Sequence, residues 1–85
     1  MSSILDAQVG GDHYSKQAIQ PIEYINANKL DFNHGNIVKY ATREGLKGRD
    51  EDVKKIIDYS VFILKYNYKY TDDMIRDYLK HKYNI

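Results

Sequence analysis

The stretch Asn36-Ile37-Val38-Lys39-Tyr40-Ala41-Thr42-Arg43 decides how the rest of the chain is read. At about 100° per residue, Asn36, Lys39, Tyr40 and Arg43 fall within roughly a third of a helical circumference, with Phe32 and Asn33 beside them. Ile37, Val38 and Ala41 fall on the other side, where a core can take them. The segment is therefore predicted to be an amphipathic helix whose polar face carries two cations, an amide and a phenol. These groups are mostly hydrogen-bond donors, a set that suits an anionic ligand such as a nucleotide phosphate. The competing reading is an ordinary solvated face, which most amphipathic helices have.

Outward from this stretch, Asp31 is the expected N-cap of a helix running from about Phe32 to Glu44. Gly45 is its expected stop, and Gly45-Leu46-Lys47-Gly48-Arg49 a basic connection. On the N-terminal side, Pro21 suits the first turn of a short helix ending near Asn28, with Ile22 and Ile25 on its buried face. Residues 1–20 lack periodicity, and Gly10-Gly11-Asp12-His13-Tyr14 reads as a turn within an irregular N-terminal segment. A glycine pair without a following Lys-Ser/Thr is not a P-loop.

On the C-terminal side, Asp50 is the expected cap of a third helix, with Glu51 and Asp52 in its positive first turn. Val53, Ile56, Ile57, Ser60, Val61, Ile63 and Leu64 share a broad arc and are predicted to be core. Tyr59, Phe62 and Tyr66 form a second, aromatic stripe, read as a subunit contact unless the C-terminal segment folds over it. The alternating run Lys65–Tyr70 extends or frays the helix. Thr71, followed by Asp72 and Asp73, caps a fourth helix that presents Met74, Ile75, Tyr78 and Leu79 and ends near Lys82. The prediction is a single all-α domain over 1–85, a small bundle of three to four helices.

Composition narrows the function classes. The 85 residues carry a net charge of +1, no cysteine and nine tyrosines. Near-neutral charge provides no global field for DNA or an anionic membrane. The absence of cysteine excludes disulfides and thiolate metal sites. No run approaches the roughly 20 apolar residues that span a bilayer, and no leader pattern opens the chain, so a cytoplasmic protein is expected. His13, His34 and His81 lack the i, i+4 spacing of a helical zinc pair, and capping explains Asp50-Glu51-Asp52 without magnesium. Neither a metal nor a cofactor is expected, and no catalytic residue is assigned. His34 is expected on the core side of its helix, as a hydrogen-bonded structural histidine. Lys/Arg and Tyr interleave at 65–70 and 76–83, as in single-strand binders, but the balance of acids against bases disfavours nucleic acid.

Several of these residues also match a known pattern in order. His13-Tyr14, Gln20-Pro21-Ile22-Glu23-Tyr24-Ile25, Leu30-Asp31-Phe32, Gly35-Asn36-Ile37-Val38-Lys39-Tyr40 with Arg43, and Glu51-Asp52-Val53-Lys54-Lys55 with Tyr59 resemble the SaV-like family of small phage proteins. The resemblance covers about residues 12–64 and leaves 65–85 as a C-terminal helical extension. That family includes an oligomeric T-odd coliphage nucleotide kinase that lacks a P-loop. The resemblance implies that Asn36, Lys39, Tyr40 and Arg43 contact a nucleotide, with His13 and Tyr14 nearby. This chain departs from the family pattern at Ile56 and in its added helix after Thr71.

Together these readings lead to the expectation of a phage-encoded homo-oligomer that binds a small nucleotide or nucleotide-derived signal between subunits. Sequestering a host defence messenger, an anti-defence role, would fit. The alternatives are a nucleoside-monophosphate kinase and a structural interaction module. If Lys39 and Arg43 serve only a ligand, replacing either should leave melting little changed.

Overall fold

The computed structural model describes Ile4 and residues 18–85. Among the described residues the chain forms four helices: α1 (Pro21–Ala27), α2 (Phe32–Lys47), α3 (Asp50–Tyr66) and α4 (Asp72–Tyr83). The fold is a small all-α one, as the periodicity predicts. The expected turn around Gly10-Gly11, with His13 and Tyr14, lies outside the described residues.

Local chemistry sets the helix ends. Pro21 opens α1, where its missing N–H is not needed, and the Gln20 N–H donates to Glu23 Oε1 at 3.4 Å. Asp31 caps α2 by accepting the His34 N–H at 2.9 Å, and Thr71 caps α4 by accepting the Met74 N–H at 3.1 Å. Two ends differ from expectation. Helix α2 runs through Gly45 and stops at Gly48, whose φ of 64° is left-handed and whose N–H donates to Glu44 O at 2.7 Å. A glycine inside a helix costs only about 1 kcal/mol against alanine, and the neighbouring turns outweigh that. The cap of α3 is Arg49, in extended conformation, which places Asp50 already in the first turn.

Helices α2 and α3 form a hairpin joined by Gly48 and Arg49 alone. Helix α1 lies on α2, and α4 packs against α3. The approach of α1 is close: a Cβ on Gly35, which is buried, would meet Ile25 Cγ2 at 3.1 Å. The chain is elongated, 52 × 27 × 19 Å, with a radius of gyration of 15.8 Å.

The predicted core is only partly a core. Among the described residues, Ile75 is the one large apolar side chain that is buried. Val53 and Ile57 remain 43 % and 53 % exposed, and Ser60 is exposed too. The aromatic stripe also divides differently. Tyr59 is half-buried and turned toward α2, Phe62 packs edge-on against it, and Tyr66 is exposed. Periodicity marks which residues want burial but does not say which face of α3 meets α2. In the structure it is the aromatic side that meets α2, across the short Gly48-Arg49 connection.

Candidate functional site

The donor-bearing face of α2 is half-buried throughout, with Tyr40 and Arg43 meeting α3 and Asn36 and Lys39 bordering a cleft toward α1. At its centre Tyr40 stacks on Tyr59 of α3, with centroids 6.0 Å apart and planes 14° from parallel. Tyr59 also meets Phe32 at 5.8 Å and Phe62 at 5.7 Å, both edge-on. The result is a four-ring cluster between the two helices, a geometry in which ring edges meet ring faces favourably.

Two lysines converge on that cluster. Lys39 Nζ lies 5.1 Å from the Tyr40 ring centroid, and Lys55 Nζ of α3 lies 4.8 Å from it. Each gains a cation–π contact with the same ring. Among the described residues neither has a carboxylate within ion-pair distance, whereas Lys54 and Lys65 do. Lys55 is thus a site residue that sequence reasoning left out. Its signal was present: it stands one turn before Tyr59, on the same face of α3.

Arg43 is positioned by a different partner. Its Nε lies 3.5 Å from Asp52 Oδ2 across the α2–α3 interface. Asp52 has no exposed surface, and neither of its carboxylate oxygens nor Arg43 Nε completes a hydrogen bond. Asp52 stands in the first turn of α3, as expected, and is in addition a buried countercharge to Arg43 within the hairpin. Buried carboxylates need such pairing because their desolvation is otherwise uncompensated.

Asn36 Nδ2 donates to Phe32 O at 2.8 Å, one turn back on its own helix. Asn36 and Lys39 line a shallow cleft of about 210 Å³ between α1 and α2, together with Ile25, Leu30, Phe32, Gly35 and the exposed carboxylate of Asp31. Phe32 is 75 % exposed at its rim. So Asn36, Lys39 and Tyr40 come together, Arg43 stands one turn further on, and His13 and Tyr14 lie outside the described residues. His34 is exposed rather than on the core side, because the α1–α2 contact uses the Gly35 side of the helix. It is nonetheless hydrogen-bonded: its Nδ1 lies 2.6 Å from Asp31 Oδ1. The backbone and side-chain hydrogen bonds from His34 hold the Asp31 carboxyl below its usual value.

Chemically, the arrangement offers cations and aromatic faces between α2 and α3, where the Asp52 carboxylate is inaccessible, and one exposed carboxylate, Asp31, hydrogen-bonded to His34, at the α1–α2 cleft. That describes an anion-accepting surface better than an acid–base dyad. No helix among the described residues is long and apolar enough to cross a membrane. No curated protein and no solved structure matches the chain. Residues 9–60 match the model of a protein family of unknown function, and that span includes α1, α2, the paired lysines and the Asp52 countercharge. The chain belongs to this family, DUF3310.

Proposed function

We propose that the protein is an oligomeric nucleotide-binding protein whose phosphate site is formed by Lys39 and Lys55 beside Tyr40. The observation that carries this reading is the approach of two lysines to one ring, with no carboxylate within ion-pair distance of either among the described residues. Two cations beside one ring, neither neutralised by an ion pair, favour a bound anion through charge-assisted hydrogen bonds. The neighbouring cleft supplies the rest of a nucleotide's needs. The exposed Phe32 ring offers a stacking face for a base, and Asn36 stands between that ring and Lys39 on the cleft wall. The site so described lies within one chain. In a phage, such a binder would hold a nucleotide or a nucleotide-derived defence messenger away from its target.

Titration calorimetry with nucleoside mono-, di- and triphosphates and cyclic dinucleotides tests this, with inorganic phosphate as the control. At least one nucleotide should bind more tightly than phosphate alone. Lys39→Ala and Lys55→Ala should each weaken that binding by about 1.5–3 kcal/mol, the range for a charge-assisted hydrogen bond. Wild-type protein that takes up no nucleotide ends the reading. Variants that bind as wild type does would move the site elsewhere.

A further inference from the structure

The outer face of α3 carries Val53, Ile57, Ser60 and Leu64, at successive spacings of four, three and four. That is the spacing of an apolar seam between paired helices. The face points roughly 140° away from the side that holds Asp52, Lys55 and Tyr59 against α2. Its N-terminal half, Val53 and Ile57, is uncovered. Its C-terminal half borders a groove of about 370 Å³, lined by Ser60, Leu64, Tyr70 and Tyr78, where α4 lies alongside α3. Knobs and groove thus sit at opposite ends of one seam.

We propose that this seam is the interface of a two-fold dimer, in which α3 of one copy runs antiparallel to α3 of the other. Val53 and Ile57 of each copy enter the groove of its partner. A two-fold axis near the middle of α3 makes the arrangement self-complementary, as an isologous contact must be. Charge fits the same direction. Antiparallel packing brings the acidic first turn of α3, Asp50 and Glu51, toward its last turn at Lys65, which also pairs with Asp72, and it opposes the two helix dipoles. Ser60, at the centre, presents no loose polar group, because its hydroxyl donates to Ile56 O at 2.9 Å. The single-chain molecule also leaves much to bury, with one large apolar side chain enclosed among the described residues and an elongated outline. A second copy satisfies both.

The interface gives the oligomeric half of the proposed function its surface and rests on that half alone, since the lysine site lies on the other side of α3. Sedimentation equilibrium of the full chain should give twice the 10.0 kDa chain mass. Ile57→Asp should give a monomer with unchanged helical circular dichroism. A wild-type monomer, or an assembly that Ile57→Asp leaves intact, overturns the interface. Because the protein has no cysteine, a single-cysteine probe is unambiguous and does not depend on the fate of Ile57→Asp. Ser60→Cys should be joined into dimers by a short bismaleimide, while Asp58→Cys, off the seam, should not. The reverse pattern also overturns it. A dimer that binds no nucleotide overturns the nucleotide reading alone, and a monomer that binds one overturns the interface alone.

Discussion

The inner and outer faces of α3 invert the usual distribution of side chains. The inner face, against α2, holds a buried carboxylate, a lysine and a tyrosine: Asp52, Lys55 and Tyr59. The outer face holds Val53 and Ile57, both left exposed. In a self-sufficient bundle the apolar arc would face the neighbouring helix and the charges would face water. Here aromatic rings and an ion pair make part of the contact within the chain, while Val53 and Ile57 of the apolar arc stay exposed. The difference teaches that an amphipathic helix in a small chain has two faces to satisfy. The apolar one need not be satisfied internally.

The sharpest way to break this comparison is to remove the ion pair on the inner face. Arg43→Met leaves the Asp52 carboxylate buried without its countercharge. That should destabilise the chain by about 3 kcal/mol, the low end for a broken buried pair, because Arg43 keeps 28 % of its side chain exposed. This reverses the expectation that Arg43 can be replaced without affecting melting. Arg43→Met combined with Asp52→Leu should recover most of the loss, since two apolar residues of similar size satisfy one another. Urea unfolding at a single protein concentration measures both, which keeps any association constant. A loss of only a few tenths of a kcal/mol for Arg43→Met would make the inner face an ordinary solvated one.

A smaller effect tests how the faces are assigned. The rotation of α3 that turns Tyr59 inward passes through Gly48 and Arg49, and Gly48 holds a left-handed φ of 64°. Gly48→Ala should cost about 1–2 kcal/mol, the penalty for a Cβ in that conformation. Gly45 sits within α2 with open space around its missing Cβ. Gly45→Ala should stabilise by about 0.5–1 kcal/mol. Opposite signs from two glycines three residues apart, measured by thermal unfolding, would fix Gly48 as the turn that orients α3.

Much of the fold was legible in the residues, because helix ends are written in local chemistry. Pro21, Asp31 and Thr71 each declare a start through one missing or one accepted hydrogen bond. The choice between Gly45 and Gly48 was not legible, since both are compatible with a stop and only the packing of the hairpin separates them. The site was half legible. Asn36, Lys39 and Tyr40 share a face by spacing alone, and the structure brings them together. Lys55 and Asp52 come from another helix, so their roles depend on the rotation of α3, which no local pattern specifies. His34 was misplaced for a related reason: α1 covers the Gly35 side of α2, and the wheel does not show where α1 docks.

The smallest expected effect is the pH dependence contributed by the ends of the helices, away from both faces of α3. Hydrogen bonds from His34 hold Asp31 below its ordinary value of 3.8. A depressed carboxyl adds stability that is present above about pH 3.8 and lost as pH falls through its lowered folded value. Asp31→Asn should therefore flatten stability against pH on the acid side while keeping the cap, since asparagine caps as well as aspartate. At the other extreme, the hydrogen bond from Lys65 to Asp72 at 3.1 Å raises Lys65 above its ordinary 10.5. That contribution is present below about pH 10.5 and disappears as pH rises through the raised folded value, and Asp72→Asn should remove it. Both pairs are exposed, so the changes should be slight and should shrink further in high salt. Urea unfolding followed by far-ultraviolet circular dichroism, from about pH 2 to 12 in roughly 0.05 M and 0.5 M salt, reads both limbs. A pH effect of Asp31→Asn as large as the loss from Arg43→Met would mean that the helix ends, rather than the inner face of α3, hold the hairpin together.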